Sequence, residues 1–136
     1  MSAVFTFSSF TDHWSPRLVA AVNDQHVKIA KIDGAFIWHA HPDSDELFYL
    51  LAGELTMELE LEPGPEEGAG EEEEDKKKIE AVVMQVGDMF VVPKGVRHRP
   101  VAKEAHIMMV EKSGTVNTGD MAAESDRTRV PTDVRA

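Results

Sequence analysis

Two histidines one residue apart, His39-Ala40-His41, stand upstream of a single glutamate, Glu46, and far upstream of a fourth residue of the same chemistry, His98. On an extended strand residues i and i+2 share a face, so both imidazoles of the pair converge on one side. Glu46 follows the turn Pro42-Asp43-Ser44-Asp45 and opens the next predicted strand, from which its carboxylate can swing back to the same pocket. His98 comes after a separate turn, Pro93-Lys94-Gly95. Three neutral imidazoles and one carboxylate suit one divalent transition metal such as Fe, Mn, Ni or Zn. Four protein donors leave one or two positions open on a five- or six-coordinate ion, and open positions are what catalysis or ligand binding uses. With 0 Cys in the chain, Cys-ligated zinc, iron–sulfur clusters and thiol nucleophiles are excluded.

The elements that must carry these residues read as strands. Leu55, Met57, Leu59 and Leu61 alternate with Glu54, Thr56, Glu58 and Glu60, the period-two pattern of a half-buried antiparallel strand. Leu18 to Val22 and His26 to Ile32 form a predicted hairpin around Asn23-Asp24. Ala35 to Ala40 and Glu46 to Ala52 form a second pair, which Gly53 separates from the alternating strand. Further strands are predicted over Ile79 to Gln85, Met89 to Val92, Arg97 to Val101 and His106 to Glu111, with turns at Gly87-Asp88 and Pro93 to Gly95. No helical stripe persists for three turns. Short, regularly spaced strands with Gly and Pro punctuation predict an all-β sandwich or barrel. From Ser113 the chain turns polar, a predicted tail with one short helical turn near Met121 to Ser125.

A length of 136 residues predicts one domain over 1–136. With 25 acidic against 14 basic residues and a formal charge of −11, the composition argues against nucleic acid and anionic membranes as partners. Much of the excess lies between Glu62 and Lys78, a stretch rich in Glu, Gly and Pro; residues 63–78 are predicted to be an acidic flexible loop. No apolar run is long enough to span a membrane, and Met1 to Phe10 lacks signal-peptide order. The reading is a soluble cytoplasmic protein.

The frame around the histidines resembles the cupin superfamily. Its first motif runs Gly, five residues, His-x-His, three or four residues, Glu, six residues, Gly; here stand Gly34, His39-Ala40-His41, Glu46 and Gly53. Its second motif is matched by Gly87, Pro93-Lys94-Gly95 and His98. Gly34 is one residue nearer the histidines than the pattern asks, and Ala102 replaces the closing Asn, but neither change removes a metal ligand. The match covers 34–102, and the chain is similar to small single-domain bacterial cupins without an assigned reaction. The resemblance implies an antiparallel jelly-roll β-barrel with a short polar C-terminal tail. It implies a metal held inside by His39, His41, Glu46 and His98, and a homodimer.

Phe48 and Leu50 follow Glu46 on its face and are candidate substrate-contacting walls, while Met57 and Met108 read as flexible gap-fillers, either plain core or lining of the cavity. Phe36 and Trp38 face opposite to His39 on strict alternation, which makes them outward positions for core or dimer packing. Arg97 and Arg99 point away from His98, toward salt bridges or a subunit contact. Tyr49 faces away from Glu46, and His13, His26 and His106 lack ligand spacing. The expected partner is a small molecule, such as a bidentate anion. Three functions stay open: a metal-dependent enzyme such as a dioxygenase, a non-catalytic binding or sensing module, and a sugar or keto-acid isomerase.

Overall fold

The computed structural model describes residues 6–62 and 77–135. The predicted acidic loop lies almost wholly outside the described residues. Among the described residues seven strands run in the order β1 Arg17–Val22, β2 Gln25–Ala35, β3 Glu46–Leu61, β4 Lys78–Met84, β5 Met89–Val92, β6 Arg97–Lys112 and β7 Thr132–Asp133. They pair in the spatial order β4-β3-β6-β2-β1-β7, with β5 on the edge of β3 that β4 leaves free. All pairings are antiparallel except β1 with β7. Among the described residues no helix is long and apolar enough to cross a membrane.

Two strands are longer than the sequence predicts. β3 continues through Gly53, and β6 bridges the expected gap between Val101 and His106, so that each runs for 16 residues. Both bend at one place, where their shared ladder loses register around Ala52. Gly53 takes φ +81° there, and a Cβ on it would lie 2.2 Å from the backbone oxygen of Glu104, itself at φ 43°. Only glycine allows that approach.

The bend also changes which residues face inward. Along β3 the buried set is Glu46, Phe48 and Leu50 before it, then Leu55, Met57 and Leu59 after it; along β6 it is His98, Pro100 and Ala102, then Ala105, Ile107, Met109 and Glu111. One extra residue in each strand flips the parity, and the apolar interior stays continuous across the bend. Ile32, Leu50, Leu55, Met57 and Ile107 form its fully buried centre.

The C-terminal segment is not a free tail. It crosses back over the barrel through a 3-10 turn at Gly119–Met121 and adds β7 to the edge of β1. Thr118 is completely buried and pairs its hydroxyl with that of Thr128, while the Asn117 side chain braces the backbone at Arg127 and Arg129.

Candidate metal centre

Glu46 is the first residue of β3 and His98 the second of β6, so the sheet ladder fixes both. His39 and His41 lie outside it. The predicted strand Ala35 to Ala40 ends at Ala35, where β2 leaves the sheet, and His39 then meets His98 as an isolated antiparallel pair. Two backbone bonds make that pair, His39 N–H to the His98 carbonyl at 3.0 Å and His98 N–H to the His39 carbonyl at 2.8 Å. The His41 carbonyl accepts from Gly95 N–H at 2.9 Å.

The four side chains close on one point. One donor atom from each of His39, His41, Glu46 and His98 lies within 4.8 Å of the others, and all four residues are buried. His41 Nε2 stands 3.4 Å from Glu46 Oε2, and His98 Nε2 stands 3.6 Å from Glu46 Oε1. The Nδ1 atoms of His39 and His98 contact the carbonyls of Ile37 and Val96 at 2.9 and 2.8 Å. A carbonyl can only accept, so these nitrogens carry the proton and Nε2 keeps its lone pair. Yet Nε2 of His41 and of His98 are buried without any hydrogen-bond partner. Buried polar atoms are rarely left so, and a divalent cation bound by these lone pairs and the carboxylate satisfies them. The donor set fits a metal.

Electrostatics agree with that fit. Burial, then the neighbouring His98, lowers the His39 pKa to about 4, which keeps its imidazole neutral and able to ligate. Burial raises the Glu46 carboxyl, but the neighbouring Glu111, His41 and His98 outweigh it and hold the group well below its usual range.

Glu111 is the neighbour that the sequence reading missed. It is Glu46's register partner across β3 and β6, and burial together with the Glu46 charge pushes its pKa up to about 9. Its Oε1 accepts from Lys28 Nζ at 2.6 Å, with both residues buried, and Lys28 also donates to the Thr115 carbonyl at 3.1 Å. The available signal was alternation itself: Glu111 extends the inward row of Ile107 and Met109, and Lys28 extends that of Ala30 and Ile32.

A cavity of about 50 Å³ opens beside His39 and Glu46. Of the expected wall residues, Phe48 lines it; Leu50 and Met57 are fully buried in the core and are not part of its lining. Met108 is turned to the outer face, because the bend in β6 flips the parity and gives Met109 the inward place. Phe36 differs most from expectation. It is buried and lines the cavity, edge-on to His39 and stacked on Trp14, since strict alternation stops where the chain leaves the sheet. It is therefore not an outward dimer position. Trp38 is half-buried, with the Arg99 guanidinium 5.0 Å from its ring. Arg99 bonds Glu58 and Arg97 bonds Glu60, both ion pairs on the outside of the barrel.

The family described as Cupin domain matches residues 25–111. The uncharacterised protein YdbB of Bacillus subtilis is 37% identical over 81 residues, 60% of this chain, and the match spans 57% of YdbB's own length. Among solved structures, a cupin-2 domain containing protein from Shewanella frigidimarina superposes with a TM-score of 0.58 at 38% identity, covering 78% of this chain and 86% of that one. Hydroquinone 1,2-dioxygenase from Sphingomonas sp. TTNP3, with 4-hydroxybenzoate bound, gives 0.54 at 17% identity, over 75% of this chain and 66% of the other. Two bent 16-residue strands and an off-sheet His-x-His segment thus build a buried three-histidine, one-glutamate cluster able to hold a metal, and the chain belongs to the cupin family.

Proposed function

We propose that this cupin is a metal-dependent enzyme acting on a small organic molecule, with one divalent metal held by His39, His41, Glu46 and His98. The observation that carries the reading is the pair of buried, unpartnered Nε2 atoms that converge with Glu46. When bound, the metal would supply Lewis acidity and coordination beyond its four protein donors for ligand oxygens such as those of a 2-keto acid or a catechol-like diol. The chain supplies the rest. Phe36, Phe48, Ile107 and Met109 enclose the ligand's apolar body and exclude water, and Lys28 is the one cation on the cavity wall among the described residues. A dioxygenase is the first reaction to test. The likeness to hydroquinone 1,2-dioxygenase, at 17% identity, speaks for the fold alone, so the reaction is tested on this protein.

One observation favours non-catalytic binding or sensing instead. Apart from the metal donors, the ionisable groups on the cavity wall are Lys28 and Glu111, and they are bonded to each other. Metal analysis of untagged protein, then titration of the Co²⁺ or Fe²⁺ form with 2-keto acids and catechols under oxygen, separates the readings. Ligand binding with oxygen uptake supports the dioxygenase; binding with a rearranged product supports an isomerase; binding without turnover supports the sensor. No metal in the wild-type protein overturns all three.

A homodimer belongs to the same proposal. Val83, Met89 and Val91 are exposed on the outer faces of β4 and β5, apolar area that a second copy would cover. A monomer in sedimentation at micromolar concentration overturns it.

A further inference from the structure

His39, Ala40 and His41 are held from two sides. His39 N–H and the His41 carbonyl bond toward β6 and the turn before it. Ala40, between them, faces the other way, and both its backbone groups go to one residue of the C-terminal segment. Ala40 N–H donates to Asp120 Oδ1 at 2.9 Å, and Asp120 N–H donates to the Ala40 carbonyl at 2.9 Å. The preceding residue, Gly119, lies so close that a Cβ on it would sit 2.2 Å from the Ala40 oxygen and 3.1 Å from His41 Nδ1. Gly119 also takes φ +54°, so a side chain there is doubly disfavoured.

We infer that Asp120, seated by Gly119, is the positioning residue for the His39–His41 pair, so that the C-terminal segment is a working part of the metal centre. The inference rests on the metal reading above. The segment is itself fixed at both ends: the Thr115 carbonyl accepts from buried Lys28, and β7 pairs with β1. Asp120 therefore presents its two bonds from a braced support. Without its carboxylate, Ala40 N–H would be a buried donor with no partner, and the short segment bearing two of the four donors would lose half of its second anchorage. Partners bonded directly to a metal's ligands typically weaken binding by about 10–100-fold when lost; Asp120 holds the residue between two ligands, so the lower end of that range is expected.

Co²⁺ titration of the full chain, followed by visible absorption, tests this. Asp120→Ala is expected to bind Co²⁺ about tenfold or more weakly than wild type, with an altered ligand-field band. Asp120→Asn keeps an acceptor oxygen at the same reach and is expected to restore both affinity and spectrum. Glu124→Ala removes an exposed charge from the same segment and is expected to change neither. Wild-type affinity and spectrum in Asp120→Ala overturn the inference, and so does equal weakening in Asp120→Ala and Asp120→Asn. Should Asp120→Ala not fold, Asp120→Asn and Asp120→Glu carry the comparison: Glu keeps the charge but displaces the acceptor, so tighter Co²⁺ binding by Asn supports the inference and the reverse order overturns it. A wild-type chain that takes no Co²⁺ overturns the metal reading, and this inference with it.

Discussion

Two of the four donors stand on the sheet and two stand off it, and the two pairs are positioned by different means. Glu46 and His98 open the long strands β3 and β6, whose ladder extends over the whole shared length. Their placement follows from the same backbone bonds that hold the barrel together. His39 and His41 sit on a connection that belongs to no strand, placed by one bridge to His98, one bond from Gly95 and two bonds to Asp120. A ladder positions by repetition, so no single bond matters much. A connection positions by a few contacts, each of which counts, and this difference decides what a substitution on either side should do.

The largest effects come from removing a donor. Both His98→Ala and His41→Ala take away one of four ligands and are expected to lose most of the bound metal, measured by elemental analysis of the purified proteins. They should differ in stability. The His98 ring is fully buried against Phe48 and His39 inside the ladder, so its deletion leaves a cavity costing about 2–4 kcal/mol. His41 lies at the edge of the site beside a polar groove and should cost less. Equal metal content in wild type and both variants would sink the assignment, whereas equal destabilisation would erase the contrast between ladder and connection.

The ladder can instead be broken far from the donors. Gly53→Ala drives a methyl group into the Glu104 backbone at φ +81°, and the combined strain and overpacking should cost about 3 kcal/mol in urea unfolding. The folded fraction should still take up metal, because Glu46 and His98 lie well along their strands from the bend. Loss of metal without loss of stability would show that the bend reaches the site.

Gly53 also shows why the fold was only partly legible. Period-two alternation in Leu55, Met57, Leu59 and Leu61 identified the strand and its inward face, and the spacing of His39, His41, Glu46 and His98 identified the cluster. A glycine between two alternating runs reads as a terminator. Here it is a bulge inside one strand, and a matching bulge near Glu104 carries no glycine to mark it. Local pattern does not encode two irregularities that meet across a sheet, so Met108 was assigned the face that Met109 occupies. Phe36 is packed inward, as core, rather than outward at a dimer contact for the opposite reason: alternation ceases to apply in a segment that has left the sheet. Asp120 reaches the site only through tertiary closure, and no spacing rule joins it to the histidines.

Protonation offers a smaller test of the off-sheet pair. The His39 pKa is about 4 in the folded chain against 6.5 as a free group. At pH 7.5 both states are neutral and His39 contributes nothing to the pH dependence. As pH falls below 6.5 the unfolded chain takes a proton that the folded one refuses, so stability drops, by about 2 kcal/mol at pH 5. Glu111, with its pKa raised to about 9, works in the other direction, stabilising the fold as pH falls toward 4.5. The two separate in a difference measurement on metal-free protein. Wild type should lose about 2 kcal/mol relative to His39→Gln between pH 7.5 and 5, since the Glu111 contribution is common to both. Parallel stability curves would mean that His39 is protonated as readily folded as unfolded, and the connection would then be looser than its bonds indicate.

The smallest effect is expected at the edge of the sheet that holds no donor. β3 and β4 pair without a break from Leu55 with Met84 to Leu61 with Lys78, so the two strand ends are already adjacent and in register where residues 62–77 join them. A two-residue Asn-Gly turn has the twist that closes such a hairpin. Replacing the 16 residues from 62 to 77 with it shortens the loop roughly eightfold. Loop-closure entropy grows only with the logarithm of length, so the shortened chain should gain about 1–2 kcal/mol, read as a higher urea midpoint. Glu60 would lose its ion pair with Lys77, but the partner is exposed and Arg97 remains beside the same carboxylate, so that loss should be small against the entropy gain. Metal content should not change, because Leu59, the register partner of His98, stays in the unbroken β3–β4 ladder and Glu46 begins β3 at the far end. A shortened chain that folds but loses metal would show that the placement of His98, opposite Leu59 and close to this turn, depends on the turn itself, and that repetition along β3 and β6 is a weaker support than the bonds at Ala40.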